Sequence, residues 1–456
     1  MQRILSSAVL FLFALTILMP KQAFAVGSSG FENASYSAKT LGQANAVIAR
    51  PQDPSTISFN PAGMMELPGV QVSAGLQNLD WRIFHRNNAT GDHTQSDARL
   101  ILLPSLYATV NPGNMPGEFL DNRLAFGVGV NSPFGLQNSF PARDPFGDVG
   151  YDNRLKLAAT TIGGAFQATD WLSVGSGAIY YNAFDYGQEF SYPNAAVLGV
   201  AADDGEAKVD STGHAWGWNF GILAKWREAH KFAFSFRSGA NLKMKGTAKI
   251  EGIVLGAAQG FPTFPNFETG ITTDIPLPFN MTGGYAYEPS DQWAAEFDVG
   301  YTDWSQFADQ DYEFDNPTAV LRALGTIPRN YDDTWSFHLG GHRRWNPKID
   351  LYGGFAFYTA ASPKKHVDNF LPDANRYLWT AGSTYSITNW MDIDCSYLFM
   401  LLGSRHISNP QALARAGINI DGRYTSIIHG AFITVTMRFD SPFAEKGAVE
   451  SAAVTQ

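Results

Sequence analysis

Apolar and polar residues alternate strictly along several stretches of the chain. Within 216–226 the apolar residues occupy the even positions, and the same period recurs in 293–301, 391–399 and 431–439. A period of two places successive side chains on opposite faces of a β-strand. In a soluble sandwich the apolar face points to a core, whereas in a membrane barrel it points to lipid and the small or polar face lines the lumen.

The connections separate these two possibilities, because short and long ones alternate along the chain. Short polar links occur at 168–170, 227–230, 288–291, 346–349 and 388–389, with a somewhat longer one at 111–122. Long connections cover about 82–99, 132–154, 184–213, 239–272, 303–333, 361–375 and 402–423. Short periplasmic turns and long outer loops are typical of outer-membrane barrels. Seven long connections predict seven hairpins, and hence an all-β, fourteen-stranded antiparallel transmembrane barrel.

The tryptophans favour the membrane interpretation over ordinary core positions. Ten of them fall near predicted strand ends: Trp81, Trp171, Trp216, Trp226, Trp293, Trp304, Trp335, Trp345, Trp379 and Trp390. An apolar ring with one N–H suits the two interfaces of a bilayer, so we expect these residues to form the aromatic girdles of the barrel.

Residues 26–69 do not alternate and are rich in Gly, Ala, Ser and Asn. Their side chains are too small and polar to face lipid, and a fourteen-stranded barrel is wide enough to leave a lumen that must be blocked. We therefore expect an N-terminal hatch inside the lumen. The predicted domains are a signal peptide at 1–25, the hatch at 26–69, the barrel at 70–439 and a disordered tail at 440–456.

Composition supports an exported barrel. The first residues combine a positive start, an apolar run and an Ala-Phe-Ala cleavage signal, which predicts a secreted precursor. Charged residues make up only 16% of the chain, and aromatic residues make up 14%. A single cysteine, Cys395, excludes a disulfide framework, and a net charge of -10 argues against a nucleic-acid partner.

Four motifs, in order along the chain, carry a resemblance to a known family. The run Thr56–Met64 resembles the hatch motif of the FadL/TodX family of hydrophobic-compound transporters, and 131–136, 277–305 and 372–377 resemble later family segments. The resemblance implies a plugged fourteen-stranded barrel that captures hydrophobic ligands with its outer loops. Our hypothesis is that ligand binding rearranges the hatch around Phe59 to Ala62, and the hatch residues that we single out are Phe59, Asn60, Pro61, Ala62 and Gly63.

The family further implies a lateral exit through a gap at a kinked strand in the barrel wall. Glycine and proline in or beside a strand often mark a bulge or bend. Gly127, Gly129 and Pro133 are the candidates for this kink. Close packing of the two glycines against the hatch is the alternative explanation.

Apolar side chains in the predicted outer loops are the candidates for ligand capture. They are Phe134, Leu136, Phe140, Val254, Leu255 and Phe261. An exposed apolar patch usually marks a binding surface. The alternative is that these loops pack on each other as a lid.

A fatty acid also needs a basic partner for its carboxylate. The candidates are Arg154, Lys156, Arg237 and Lys243, which could instead bind lipopolysaccharide phosphates or solvate a rim. Fatty-acid members of the family tend to carry a basic residue just after the fifth strand, but 180–185 contains no cation. Neutral aromatic or alkane hydrocarbons therefore stay open as alternative ligands.

We expect passive transport and no enzyme activity, cofactor or metal. His338 and His342 have the spacing of a zinc pair on a helix, but on a strand they lie about 13 Å apart. The expected partners are a hydrophobic small molecule, outer-membrane lipid and lipopolysaccharide, and the protein is expected to be a monomer. A general diffusion porin for polar solutes is less favoured, because it would need neither a hatch nor apolar loops.

Overall fold

The computed structural model describes residues 29–440 except 34, 99, 114–121, 142–149, 193–204, 253–265, 318–324, 368–369 and 410–418. The predicted signal peptide and all but the first residue of the predicted tail lie outside the described residues. Within the described part, no helix has the length and apolarity needed to cross a membrane.

Fourteen antiparallel strands form a closed barrel within the described residues, as predicted. They are β1 Val70–Asn87, β2 Leu100–Val110, β3 Leu124–Asn131 and Gly135–Ser139, β4 Asp152–Thr169, β5 Leu172–Tyr192, β6 Gly205–Trp226, β7 His230–Arg237 and Ala240–Glu251, β8 Phe267–Leu277 and Asn280–Ser290, β9 Trp293–Thr302 and Asp309–Phe314, β10 Thr326–Pro328 and Thr334–Asn346, β11 Ile349–Tyr358, β12 Arg376–Thr388, β13 Met391–Ile407 and β14 Gly422–Phe439. Each strand pairs with the next over at least part of its length, and β14 pairs with β1 from Val70↔Phe439 to Asn87↔Gly422, so the sheet closes on itself. Closure leaves no terminal strand whose backbone polar groups would face hydrocarbon unpaired.

Exposed tryptophan pairs mark the thickness of the membrane band. Trp216 and Trp226 on β6 are 68% and 55% exposed, and Trp335 and Trp345 on β10 are 49% and 66% exposed. Ten strand residues inclined at about 40° rise about 25 Å, which matches the apolar band of outer-membrane barrels. The girdle prediction is wrong for Trp81 and Trp304, which are 4% and 0% exposed, because both rings pack inside the protein.

Several strands continue outward beyond the membrane band, where the sequence had predicted loops. The second segment of β7 covers Ala240–Glu251, and its partner segment of β8 covers Phe267–Leu277. There Leu242 and Met244 are buried, while Lys243 is exposed. The pattern is therefore apolar inside and charged outside, which is the reverse of a lipid-facing strand. The predicted loops at 184–213, 239–272 and 303–333 were too long for this reason.

The hatch fills the lumen with short turns rather than strands. Its regular elements are α1 Ala38–Leu41, α2 Thr56–Phe59 and a 3-10 helix at Pro61–Glu66. Asp53 joins the parts, because one carboxylate oxygen accepts from Ser37 Oγ at 2.6 Å and the other from the Ser55 N–H at 2.8 Å. Small side chains let this segment lie close to the surrounding wall, and nearly all of it is buried.

Candidate functional site: the hatch, the wall gap and a buried arginine

A buried lysine anchors the first part of the hatch to the barrel wall. Lys39 Nζ lies 3.5 Å from Asp394 and 3.8 Å from Asp392, both on the inward face of β13. The side chains of Lys39 and Asp394 are 6% and 0% exposed. Breaking such a buried ion pair costs about 3–5 kcal/mol, so this contact fixes the hatch firmly.

A second anchor lies across the lumen on β9. Arg50 pairs with Glu296 at 3.9 Å, and the Ala49 N–H donates to the same carboxylate at 2.6 Å. The neighbouring Asp298 accepts the Val47 N–H at 3.0 Å. Acidic side chains at alternate positions of one strand thus hold both a cation and the backbone of the hatch.

The two histidines of β10 also bind the hatch. His338 Nδ1 lies 2.8 Å from the Ala44 carbonyl oxygen, and His342 contacts the Arg50 guanidinium. Each ring therefore has a structural partner. Among the described residues, no group of three His, Cys, Asp or Glu side chains is arranged to hold a metal ion.

The predicted hatch residues Phe59 to Gly63 lie against the inner wall of β5 to β7. Asn60 begins the 3-10 helix by accepting the Ala62 N–H, and its amide donates to the Ile48 and Ile222 carbonyls at 2.9 and 3.1 Å. The Phe59 carbonyl accepts from Ser235 Oγ. The segment is thus locked to the wall through its backbone.

Substitution of Gly221 by alanine should loosen this part of the hatch. An added Cβ would overlap Asn60 Oδ1, which caps the 3-10 helix, so the hatch must shift; overpacking of this kind costs about 1–3 kcal/mol. Protease digestion of outer-membrane vesicles should cut the hatch faster in Gly221→Ala. Gly283→Ala is the matched control, because no heavy atom lies within 4 Å of its added Cβ. Equal digestion of the two variants would contradict the expectation.

The barrel wall is interrupted beside the hatch. β3 pairs with β4 from Leu124 to Asn131 opposite Ala159, and again from Gly135 opposite Lys156. Between these pairs, three residues of β3 (132–134) face two of β4 (157–158), which is a one-residue bulge. The inward side chains consequently change from odd positions, such as Asn131, to even positions, such as Leu136.

This bulge opens a gap between β2 and β3. β2 pairs with β1 over its whole length, but with β3 only from Leu106 to Val110. No ladder joins Leu100–Ser105 to the second segment of β3 among the described residues, so the gap extends for about 20 Å along β2. Above it, the Asp97 N–H donates to the Ser139 carbonyl at 2.8 Å, which closes the wall again.

The first residues of the hatch pair with the bulge from inside. The Asn33 N–H donates to the Pro133 carbonyl at 2.8 Å, and the Gly135 N–H donates to the Phe31 carbonyl at 2.9 Å. Glu32 and Phe134 form an antiparallel bridge between these bonds. The hatch thus satisfies backbone groups that the bulge leaves without a strand partner.

The three residues proposed for the kink have different roles. An added Cβ on Gly127 would lie 2.7 Å from Met64 Sδ, and one on Gly129 would lie 2.5 Å from Tyr107 Cδ1 and 3.1 Å from Ile57 Cγ2. Close packing, the alternative explanation, therefore accounts for both glycines, which lie in the regularly paired part of β3. Pro133 lies in the bulge itself, where it needs no N–H donor for the ladder.

The predicted capture residues are not exposed on loops. Phe134, Leu136 and Phe140 are 0%, 0% and 1% exposed, because the bulge turns this part of β3 into the lumen. The prediction of an exposed patch is wrong for these three. Val254, Leu255 and Phe261 lie outside the described residues.

Instead, aromatic side chains meet inside the barrel. Phe31 of the hatch packs edge-on against Trp304 with ring centroids 4.7 Å apart, and against Phe307 and Phe134 at 5.9 and 6.1 Å. Tyr331 completes this aromatic cluster at 5.1 Å from Phe307. The cluster is a buried apolar group that joins the hatch, through Phe31, to the bulge of β3, through Phe134.

Three of the four proposed carboxylate contacts do not reach the lumen. Arg154 and Lys156 alternate with the buried Leu155 and Leu157, and therefore project from the outer face of the wall. There Arg154 binds a group of acidic side chains: Asp152, Asp185, Glu189 and Asp210. Lys243 is likewise exposed on the outer face of β7. The luminal assignment is wrong for these residues.

Arg237 is the candidate that does project into the lumen. Its guanidinium lies 4.9 Å above the Phe134 ring, donates to Tyr36 Oη at 3.1 Å and forms a salt bridge with Glu32. Tyr36 and Glu32 both belong to the hatch. A cation at the base of the aromatic cluster is therefore already neutralised by a hatch carboxylate.

The sequence reasoning missed the ion pairs that hold the hatch. Glu32, Lys39 and Arg50 lie in a segment judged only by its small residues. Their partners had a visible signal, because carboxylates at alternate positions, 296 and 298 or 392 and 394, fall on the luminal face of apolar strands.

The architecture and motifs agree with one family. The family model described as outer membrane protein transport protein (OMPP1/FadL/TodX) matches residues 18–439. The chain belongs to this family. The FadL/TodX family transports hydrophobic compounds across the outer membrane, so the protein is an outer-membrane transport protein, as predicted.

Relatives of this FadL/TodX protein are distant but cover most of its length. It is 25% identical to the long-chain fatty acid transport protein of Salmonella typhi over 82% of this chain and 87% of the relative. It is 23% identical to outer membrane protein P1 of Haemophilus influenzae over 90% of this chain and 95% of the relative.

Solved structures share the fold. A Pseudomonas aeruginosa FadL homologue superposes with a TM-score of 0.77 at 19% identity, over 90% of this chain and 100% of the homologue. The toluene transporter TodX of P. putida superposes with a TM-score of 0.66 at 16% identity, over 90% of this chain and 100% of TodX. At these identities the likeness shows the common fold.

Proposed function

We propose that this protein carries long-chain fatty acids or similar hydrophobic molecules inward and releases them sideways through the gap between β2 and β3. The interrupted pairing of Leu100–Ser105 carries this proposal. Unpaired backbone N–H and C=O groups are costly in a membrane barrel. We therefore interpret this unpaired stretch as a functional feature of the wall. Leu76 and Leu100 are 47% and 62% exposed on the outer face of this region, where a departing ligand would meet lipid.

The proposed path has three steps. The ligand is captured at the outer end of the barrel, where the loop residues Val254, Leu255 and Phe261 stay candidates. It then reaches the aromatic cluster around Phe31, where each buried CH₂ contributes about 0.8 kcal/mol. Rearrangement of the hatch finally uncovers the gap, and the ligand leaves along it. The concentration gradient and downstream consumption drive the flux.

Neutral aromatic or alkane hydrocarbons are the second candidate ligands. The stretch 180–185 lacks the basic residue expected of fatty-acid transporters, and Arg237 is already paired with Glu32. One structural relative is a toluene transporter. The aromatic cluster alone would accept such a ligand.

Growth on oleate separates these ligands. A Gram-negative host that lacks its own long-chain fatty acid transporter should grow on oleate when it expresses this protein, and an empty vector should not support growth. Absence of growth, with the folded barrel present in the outer membrane, would contradict fatty acid transport. Accumulation of labelled toluene by the same cells would then support the hydrocarbon alternative. Large steady currents in planar bilayers would instead indicate a general porin.

A further inference from the structure

The pairing of Arg237 is unusual because its carboxylate comes from the hatch and not from the wall. Glu32 is 5% exposed and is the acidic side chain bound to Arg237 among the described residues. Its backbone bridges Phe134, and its neighbours Phe31 and Asn33 bond the bulge. Movement of Glu32 therefore moves the backbone that pairs with the bulge beside the gap.

The site offers more hydrogen-bond donors than Glu32 uses. Arg237 Nε and the Tyr181 hydroxyl are buried and have no hydrogen-bond partner among the described residues. The Tyr181 ring lies 6.2 Å from Phe134, which itself lies under the Arg237 guanidinium. An acyl chain lying on the aromatic cluster would bring its carboxylate to this same group of donors.

A place for the displaced Glu32 carboxylate lies next to it. Glu32, Tyr36 and Arg237 line a polar cavity of about 70 Å³ inside the barrel. Its lining includes hydroxyl and amide groups, among them those of Ser235, Asn280, Thr282 and Ser336, together with Asp298, His338, Ile48 and Phe59. The hydroxyl and amide groups can hydrate or donate to a carboxylate that has lost its arginine.

The remainder of the hatch is held separately. Lys39 is fixed by Asp392 and Asp394, and Arg50 is fixed by Glu296, in ion pairs that include neither Glu32 nor Arg237. Release of Glu32 removes the ion pair that joins Ser29–Asn33 to Arg237, and leaves the hydrogen bonds of Ser29 to Trp304 and Thr334 and of the Gly30 carbonyl to Arg376. The rest of the hatch stays in the lumen. The gap can open while the lumen stays blocked.

We propose that Glu32 occupies the position of the ligand carboxylate on Arg237, and that an incoming fatty acid opens the gap by displacing Glu32. This rests on the transport function proposed above and adds its trigger. After the exchange the Arg237 guanidinium is still paired with one carboxylate, and the displaced Glu32 carboxylate carries its negative charge into the polar cavity. A neutral hydrocarbon packs on the aromatic cluster but leaves Glu32 in place, so the site selects carboxylates.

Binding of oleate and of oleyl alcohol, which has the same chain without the charge, tests the exchange. Glu32→Gln should raise the affinity ratio of oleate to oleyl alcohol about tenfold, because it removes the competing charge. Arg237→Gln should abolish the preference for oleate. Because this variant leaves Glu32 buried without its arginine, the double variant Glu32→Gln/Arg237→Gln is measured as well. It buries no unpaired charge and should show the same loss of preference. Glu66→Gln and Arg154→Gln, at the periplasmic end of the hatch and on the outer face, are controls that should not change the ratio. An unchanged or lower ratio in Glu32→Gln overturns the proposal.

A reversible lock tests the movement itself. Ser29 Oγ and Thr334 Oγ1 lie 2.8 Å apart, so cysteines at both positions should form a disulfide that fixes the start of the hatch. In a Cys395→Ser background, the oxidised double variant should lose oleate uptake and regain it on reduction. If the oxidised, locked variant takes up oleate as fast as the same variant after reduction of the disulfide, the proposal is overturned. If the unmodified protein takes up oleate but no variant alters the affinity ratio of oleate to oleyl alcohol, the proposed transport function stands and only the displacement of Glu32 is refuted. If the unmodified protein takes up no oleate, the transport function and the displacement are both refuted.

Discussion

Deletion of Pro133 is expected to reduce oleate uptake at least about tenfold, while the barrel still folds and reaches the outer membrane. Three residues of β3 face two of β4 across the bulge, so removing one residue restores equal lengths. The ladder can then continue upward from Asn131, and the edge of β3 comes into register with Leu100–Ser105. The gap closes by ordinary strand pairing.

The measurement is the initial rate of labelled oleate uptake, normalised to the amount of folded barrel. Deletion of Gly91 is the matched control: this residue lies in an outer turn with φ +78 and no heavy atom within 4 Å of an added Cβ. That deletion should leave uptake close to normal. If removal of Pro133 changes uptake by less than about twofold, the ligand leaves by another route.

Membrane-spanning parts of the fold were predictable because lipid imposes a regular pattern on them. The alternation in 216–226 and the paired Trp216 and Trp226 together specify a strand of membrane length. Short turns such as 227–230 and 288–291 mark where one strand ends and the next begins, so the number of strands can be counted from them. Each of these signals is local in sequence, so no tertiary information was needed.

Side-chain direction was not predictable across the bulges. Arg237 and Lys243 are six positions apart and would share a face on a regular strand, yet Arg237 points inward and Lys243 outward. The interruption of β7 at Ser238–Gly239 changes the parity between them. Arg154 was also assigned to the wrong face of its strand. In the outer strand extensions the apolar side chains point into the barrel and the charged side chains point outward.

The contacts of the hatch were also beyond the reach of sequence patterns. Lys39 and Asp394 are far apart in the chain and meet only because the barrel closes around the hatch. Family resemblance assigned Asn60 to Gly63 to the hatch, but it gave no partner for them. Glycines of the wall supply that partner surface: an added Cβ on Gly175 would lie 2.5 Å from Ala62 N.

Replacement of Lys39 by methionine is expected to make the barrel leak ions. Methionine keeps the length of the side chain but leaves Asp392 and Asp394 facing each other in a buried site. Arg438, which lies 2.5 Å from Asp392, neutralises one of the two. The hatch then loses a contact whose removal costs about 3–5 kcal/mol, so unplugged states become populated.

Single-channel recording in planar bilayers measures this leak directly. Lys39→Met should show frequent openings, whereas the unmodified protein should conduct negligibly. The Lys39→Met/Asp394→Asn variant should leak less than Lys39→Met, because it removes the unpaired buried charge together with the lysine. Lys225→Met is the matched control: Lys225 binds Glu66 at 2.5 Å but is 38% exposed, and exposed pairs contribute only about 0–1 kcal/mol. Equal leakage from both lysine variants would indicate general loosening of the hatch, and a silent Lys39→Met channel would show that Asp392 and Asp394 do not hold it.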